Sequence, residues 1–448
     1  MKKYFITSDL FMIPWADKYI IYVPLKGLAF LISSGMVNLL NRIKAGEALG
    51  NFAENENESL KFFKELGIIN GKVDKLPFPQ EENLAPLYVT IFLTTRCNLR
   101  CIYCYASGGE KDDLTIPLEI ARSAIDLIIK NALLENKKMV GIGFHGGGEP
   151  ALAGTELRHC AEYAQRQASE KDLKISLSIA TNGIIEEEKL DWIMDNFSGI
   201  NLSLDGPEDI QNYNRPMAKG GGSFCKVMKT VKRMNDRNFP YGIRATVTDK
   251  SVPYLDKIVE FFASTCRAKR IHFEPTFNCG RCLTTGIGSP SPESFIENYR
   301  KAEEVANHAG ISIFYSGARL DTITNAFCKA AGSSFCVTPD GDVTSCYEVC
   351  TRDDPRSETF FYGKYDGEKK EFVFSEVKLD YLRRRTVDNI GFCKDCFCKY
   401  HCAGDCLAKA SDGKDLMTIK NTTRCKINQS LTLDQILKIL EMGEGEVS

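Results

Sequence analysis

The sequence predicts an α/β fold: a parallel sheet curved into a partial or full barrel, between a small N-terminal module and a cysteine-rich C-terminal region. Three observations carry this. From about Leu87, apolar β-type runs alternate with amphipathic helical stretches in six successive units. The segments that follow the first four strand candidates are rich in Cys, Gly, Asn and Asp. They fall together where the C-terminal ends of parallel strands gather. After about residue 315 the rhythm stops, and cysteines crowd between Cys328 and Cys406.

The elements follow in chain order. Residues 1–80 read as a separate module. YIIYVP, from Tyr19, is a β-rich run, Leu25-Lys26-Gly27 is a turn, and 29–32 is a second strand of the hairpin. Residues 37–43 have helical spacing closed by Gly46, and 59–66 form a second amphipathic helix stopped by Gly67. The polar, proline-containing stretch 75–83 reads as a linker. The barrel occupies 86–314. Its strand candidates are 88–94, 139–144, 175–180, 200–204, 242–247 and 270–274. Helical stretches include 118–133, 156–168, 186–194, 224–234 and 254–262. Residues 315–430 form the cysteine-rich domain, and 431–448 a C-terminal tail or helix.

Composition narrows the function classes. Among 448 residues the formal net charge is -2 and 26% are charged, so no basic excess points to nucleic acid. Asp9, Asp17 and Lys18 interrupt the apolar N-terminal runs, which excludes a signal peptide or anchor. No apolar stretch approaches the roughly 20 residues that span a bilayer. The expected location is the cytoplasm, with no membrane partner. Eighteen cysteines in a reducing compartment point to metal or redox chemistry, and only five histidines argue for thiolate clusters, zinc or iron–sulfur.

The sharpest motif is LTTRCNLRCIYCYAS after the first strand. It spaces Cys97, Cys101 and Cys104 as C-x3-C-x2-C and has no fourth cysteine. Three such thiolates hold three irons of a [4Fe–4S] cube and leave the fourth iron open. The alternatives are a zinc site or three unrelated buried thiols. Structural zinc takes four ligands, and no nearby His or Cys completes the set. The usual ferredoxin runs are spaced differently.

This motif, with the aromatic Tyr103, resembles the signature of the radical S-adenosylmethionine (SAM) superfamily. The resemblance implies a partial (β/α)6 barrel. It implies that SAM chelates the open iron and is cleaved to a 5′-deoxyadenosyl radical that takes a hydrogen atom from the substrate. It implies an external electron donor, flavodoxin or ferredoxin. Gly146 through Gly147, Gly148, Glu149 and Pro150 resembles the family's GGEP motif, whose glycines admit the SAM amino group. In NLSLDGPEDIQNYNRP, which resembles the fourth-strand segment, Ser203, Asp205 and Arg215 are candidate SAM or substrate contacts. Asp205-Gly206-Pro207 reads equally as a strand-ending turn. Arg244 is a candidate for the SAM carboxylate, with a structural ion pair as the alternative. Asn182 is a candidate near the ribose, and Glu274 a candidate facing substrate.

The C-terminal cysteines run C-x12-G-x4-C through Cys328, Gly341 and Cys346. Then follow Cys393-x2-Cys396-x5-Cys402-x3-Cys406 and finally Cys425. This resembles the SPASM domain of radical SAM enzymes; the alternative is one or two zinc sites. The resemblance implies two auxiliary [4Fe–4S] clusters, three clusters in all. One would use Cys393, Cys396, Cys402 and Cys425. The other would use Cys328, Cys346 and Cys406, with Cys336, Cys350 or an open iron at the fourth position. Cys398 falls outside the pattern. Cys160, Cys225 and Cys266 read as buried small hydrophobes. Cys279 and Cys282, a C-x2-C near the active mouth, are candidates for a hydrogen donor or extra ligand.

The N-terminal module resembles the winged-helix-like peptide recognition element of peptide-maturing radical SAM enzymes; a structural cap is the alternative. Such an element adds a precursor's leader as an extra strand. The expected function is maturation of a ribosomal precursor peptide, first by a Cys thioether and next by a carbon–carbon or cyclophane crosslink. Epimerisation would need a thiol donor, for which Cys282, Cys336 and Cys350 are the candidates. Sulfatase maturation to formylglycine ranks lower, because Tyr347 then Glu348 stand where those enzymes carry Asp. An iron–sulfur electron carrier is the non-enzyme alternative; it leaves the open site without a purpose.

Overall fold

The computed structural model describes residues 4–46, 54–72, 84–110, 113–410 and 423–444. The expected linker at 75–83 lies outside them.

The N-terminal module is a three-stranded antiparallel sheet, β1 (Phe11–Trp15), β2 (Lys18–Val23) and β3 (Leu28–Ile32), followed by α1 (Ser34–Lys44) and α2 (Glu54–Glu65). Sequence reading missed β1. It carries Pro14, and its two-residue turn to β2 places Ala16 at φ +50°, where hairpins normally have Gly or Asn. One sheet face packs Ile21, Val23 and Ile32 against Leu40, Ile43 and Phe63 of the helices. The other packs Phe11, Ile13, Ile20 and Tyr22 against Ile436 of the C-terminal helix. Both faces are therefore covered. Polar contacts lock the second face: Tyr22 Oη meets His401 Nε2, and Asp9 accepts from Lys399 Nζ at 2.9 Å and from Tyr400 Oη.

The next strands form the expected parallel series: β4 (Tyr88–Ile91), β5 (Met139–Phe144), β6 (Lys174–Thr181), β7 (Gly199–Ser203), β8 (Tyr241–Val247) and β9 (Arg270–Pro275). The helices between them are α3 (Leu118–Leu134), α4 (Gly154–Ser169), α5 (Glu187–Asn196), α6 (Glu208–Asn214), α7 (Phe224–Asp236) and α8 (Leu255–Thr265). After β9 come α9 (Cys282–Thr285), α10 (Pro292–Ala309) and β10 (Ser312–Phe314), which adds parallel to β9. Apolar residues of α3 recur at helical spacing, with Ala121, Ala124, Ile125, Ile128 and Ile129 buried against the sheet. Ser291 caps α10 by accepting from Ser294 N at 3.2 Å, and Pro292 opens its first turn.

The C-terminal domain continues the sheet. β11 (Phe335–Val337) pairs parallel with β4. β12 (Asp342–Thr344), β13 (Phe361–Asp366) and β14 (Glu371–Phe374) continue as an antiparallel meander. The result is one eleven-stranded sheet running from β10 to β14. Its order is linear, so the barrel is open. The boundary expected at 430/431 falls inside a single helix, Thr423–Glu444. That helix is tied to α10 by Arg300–Asp434 at 2.7 Å. Among the described residues no helix is long and apolar enough to cross a membrane.

Candidate active site

A cavity opens at the C-terminal ends of the parallel strands, where the sequence placed it. Cys97, Cys101 and Cys104 line it from the loop after β4. Two arginines absorb that loop's carbonyls. Arg100 donates to the carbonyls of Cys97 at 3.0 Å and Gly109 at 2.6 Å. Arg281, at the start of α9, donates to those of Cys101 at 2.6 Å and Gly108 at 3.2 Å. Its own N–H bonds the Cys104 carbonyl at 2.9 Å. Satisfying the backbone from outside lets a tight loop keep all three thiols toward the cavity. Burial pushes the thiol of Cys97 up to about 11 and that of Cys101 up to about 12. These sulfurs therefore stay protonated until a cationic centre replaces their protons.

The glycine loop after β5 packs directly on this one. Gly146 and Gly147 have φ of +98° and +68°, which L side chains rarely adopt. At Gly148 the constraint is contact: a Cβ would sit 2.0 Å from the Arg96 carbonyl oxygen. Gly148 N bonds Thr94 O at 2.8 Å, and Glu149 N bonds Arg96 O at 2.7 Å. The buried Glu149 carboxylate accepts from Thr181 Oγ1 and Asn182 N, both at 2.7 Å, and from Ala151 N at 3.1 Å. It thus fastens the β5 loop to the β6 loop. Asn182 then bonds Asn98 at 2.7 Å and approaches Cys97 Sγ at 3.9 Å. Pro150 begins a short buried turn and does not line the cavity, which corrects its expected role.

Asp205 also stands differently from expectation. It is outside the cavity lining, and its carboxylate is saturated. It accepts from Arg215 Nε at 3.1 Å, Thr246 N and Asn214 Nδ2 at 3.0 Å each, and the Tyr103 hydroxyl. Asp205 positions Tyr103 and Arg215, and those two do face the cavity, as does Ser203. Arg215 Nη1 lies 3.8 Å from Cys101 Sγ. Arg244 lines the opposite wall. Burial works against its charge, but Tyr347, Glu274, Glu348 and Tyr105 outweigh it.

The far wall comes from the C-terminal domain: Tyr347, Glu348 and Lys409. Glu274, at the end of β9, reaches the cavity but is fully engaged. It accepts from Lys409 Nζ at 3.0 Å, Arg424 Nη1 at 2.9 Å, Ser316 Oγ at 2.7 Å and His272 Nε2 at 3.2 Å. Burial opposes its charge, yet Lys409 and Arg424 hold the carboxyl well below the usual range. Glu274 is thus an ionised anchor between barrel and C-terminal domain that also lines the cavity. Sequence reading missed Lys409, Arg281, Arg424 and His145. His145 is packed edge-on to Tyr347 at 4.7 Å, and burial lowers it to about 4, so it is neutral. Only His145 left a signal, standing directly before the glycine motif.

The remaining cysteines divide. Cys328, Cys346 and Cys406 are mutual electrostatic neighbours close to the cavity wall. Cys393, Cys396, Cys402 and Cys425 form a second group. Asn428 Nδ2 reaches Cys402 Sγ at 3.1 Å, and Gln429 Nε2 reaches Cys396 Sγ at 3.5 Å. A thiol hydrogen bond from Cys398 brings Cys396 down to about 6. Cys336 and Cys350 pack around Phe92, and Cys336 still feels the charge of Cys328. Cys279 lines the cavity, while Cys282 is buried outside it, so neither Cys282, Cys336 nor Cys350 faces the cavity as a donor. Cys160 and Cys266 are buried as expected; Cys225 is exposed, against expectation. Among the described residues no three His, Cys, Asp or Glu side chains converge as they would on one ion. A cube does not demand that, since each thiolate binds its own iron. Free thiols grouped in sets of three and four, with amide donors aimed at sulfur in one set, fit iron–sulfur ligation.

An open α/β barrel whose first strand delivers three cysteines against a glycine cradle defines a cofactor-dependent enzyme of cluster chemistry. Residues 91–261 match the model of the Radical SAM superfamily. The chain carries a Radical SAM domain. A cysteine-type anaerobic sulfatase-maturating enzyme of Clostridium perfringens is 28% identical over 267 residues, 56% of this chain and 71% of that protein. The sporulation killing factor maturation protein SkfB of Bacillus subtilis is 22% identical over 275 residues, 59% of this chain and 61% of that protein. Among solved structures, anSMEcpe with bound AdoMet superposes with TM-score 0.62 at 21% identity, covering 79% of this chain and 95% of that one. Streptococcus suis SuiB bound to precursor peptide SuiA gives 0.55 at 15% identity over 94% and 99%. At these identities both show the fold.

Proposed function

We propose that this chain is a peptide maturase that forms an intrapeptide crosslink, a Cys thioether in the first instance, in a ribosomal precursor. The observation that carries the reading is the shared cavity. The Cys97–Cys101–Cys104 loop forms one wall, and residues beside the Cys328–Cys346–Cys406 group form the other. The same cavity suits a carbon–carbon crosslink.

In this reading Cys97, Cys101 and Cys104 hold a [4Fe–4S] cluster, and the backbone of Gly147 and Gly148 accommodates SAM beside it. When bound, the pair supplies a 5′-deoxyadenosyl radical. Arg244 is the cation available for the SAM carboxylate, and Arg215 braces the cluster loop at Cys101. Cys393, Cys396, Cys402 and Cys425 hold one auxiliary cluster, and Cys328, Cys346 and Cys406 the other. Flavodoxin or ferredoxin supplies the reducing electron. The leader adds to the outer edge of β3, whose run carries no proline, whereas β1 contains Pro14.

A second reading, oxidation of a Cys or Ser side chain to formylglycine, is favoured by the likeness to the sulfatase-maturating enzyme and by a carboxylate, Glu348, at the cavity wall. Anaerobic assay of the reconstituted, reduced protein tests the core claim. It should form 5′-deoxyadenosine from SAM, and Cys101→Ala should abolish this. With a cognate precursor, a thioether leaves the peptide two hydrogens lighter with a Cys that resists alkylation. Formylglycine gives a hydrazide-reactive aldehyde instead. Leader binding should slow amide exchange in 28–32; unchanged exchange there rejects the β3 edge.

A further inference from the structure

We infer that Glu348 is the fourth protein ligand of the first auxiliary cluster, occupying the iron that Cys328, Cys346 and Cys406 leave open. This rests on the reading above that those three cysteines hold a cluster.

The starting point is an orphan. Glu348 is 8% exposed, and its Oε2 is buried with no hydrogen-bond donor among the described residues. A buried carboxylate oxygen without a donor costs several kcal/mol in general, so native structures rarely keep one without a reason. The other oxygen is only loosely held, by Lys409 Nζ at 3.4 Å. Half of this carboxylate is therefore available to a cation.

Its placement names the cation. Glu348 stands two residues after Cys346, and its backbone N–H favours the charged form of the Cys346 sulfur. The turn is rigid: Val349 N bonds Cys346 O at 3.1 Å, and Thr344 Oγ1 bonds Val349 O at 3.0 Å. Lys409, which holds Oε1, is itself tied to the third cysteine, its N–H bonding Cys406 O at 3.1 Å. Cys328, Cys346 and Cys406 each feel the negative field of Glu348. Glu348 is the carboxylate with the largest effect on each of the three.

The two cysteines that sequence offered for this position are committed elsewhere. Cys336 sits in β11, paired across the ladder with Thr90 and Thr344, and lies 3.4 Å from Ser334 Oγ. Cys350 packs with it on Phe92. Cys336 lies within electrostatic reach of Cys328, but its place in the β11 ladder holds it, as the Phe92 cluster holds Cys350. Glu348 is held by neither. A carboxylate is a weaker electron donor to iron than a thiolate, so this cluster would differ in potential from the all-cysteine one.

The test uses the full chain carrying Cys97→Ala, Cys101→Ala and Cys104→Ala, so that all remaining cluster iron is auxiliary. After anaerobic reconstitution, iron content, Mössbauer and EPR spectra, and midpoint potentials are compared with and without changes at Glu348. The parent should keep two four-iron clusters through mild oxidation. Glu348→Gln should lose one iron per chain and give a three-iron EPR signal, while the second cluster stays unchanged. Glu348→Cys should restore the four-iron state at a lower potential. A Glu348→Gln protein that keeps four irons at the parent potential overturns the inference. So does a parent that already gives the three-iron signal, or a Glu348→Cys protein that fails to hold the fourth iron. If the triad-free parent binds no iron under conditions that load the unsubstituted chain, the auxiliary-cluster reading itself fails, and the inference falls with it.

Discussion

Gly148→Ala tests the coupling between the glycine loop and the cysteine loop. The added methyl would lie 2.0 Å from Arg96 O, 2.6 Å from Arg96 C and 2.7 Å from Thr95 C. All three are backbone atoms of the segment leading into Cys97, so no side-chain rotation relieves the overlap. Ordinary contact begins near 3.4 Å. The two loops must therefore separate by more than about 1 Å, and a misplacement of that order near reacting groups costs on the order of a hundredfold in rate. Separation also strains the bonds Gly148 N to Thr94 O and Glu149 N to Arg96 O. Each contributes about 1 kcal/mol net, so the loss of about 2 kcal/mol falls on the site rather than on the whole fold. The assay is the initial rate of 5′-deoxyadenosine formation, with iron content measured on the same sample. Gly148→Ala should drop the rate about a hundredfold while the auxiliary iron remains. Gly367→Ala, where nothing lies within 4 Å of the new methyl, should keep the parent rate. A Gly148→Ala protein at parent rate would refute the claim that this contact positions the cysteine loop.

Three further outcomes follow from named contacts. Glu274→Gln should destabilise the holoprotein by about 2–3 kcal/mol, less than the ~3–5 of a fully broken buried pair, because Arg424 keeps Asp405 and Lys409 keeps Glu348. Because the folded Glu274 carboxyl is held low, its contribution is present above about pH 4.3 and is lost as pH falls through the folded value. The gap between parent and variant in unfolding midpoint should be constant from neutral pH down to that point and narrow below it. His145, lowered to about 4 chiefly by burial, should stay neutral by NMR until about that pH. It opposes acid conditions, so stability should fall as pH drops from about 6.5 toward 4, and less steeply in His145→Phe. Asn428→Leu removes a donor at 3.1 Å from Cys402 Sγ and should lower the midpoint potential of the cluster assigned to that cysteine group. An unchanged potential would mean that the amide does not reach a ligating sulfur.

How much of this was legible in the sequence depends on the range of the force involved. The parallel strands and the two principal cysteine patterns were legible because their signals are local: period, spacing, and punctuation by glycine. β1 was hidden because its turn relies on Ala16 at positive φ. The anchoring roles of Asp205 and Glu274 were not legible, because both sit at strand ends, as cavity residues do. Only tertiary partners, Tyr103 and Arg215 for one and Lys409 and Arg424 for the other, turn them into anchors. The least legible feature is also the one that unites the site. β11 pairs with β4, and Phe92 N bonds Val337 O at 3.0 Å, immediately before the Cys97 loop begins. β12 then turns back and releases Cys346, Tyr347 and Glu348 onto the same rim. A shift along the β4–β11 ladder would move the second wall along the first by about 3.3 Å per residue. The register Val89 to Phe335 thus fixes the spacing between the two cysteine-bearing walls, although the paired residues lie far apart in sequence and belong to different domains. Neither strand carries chemistry of its own. Their pairing is nevertheless what makes one cavity from two motifs.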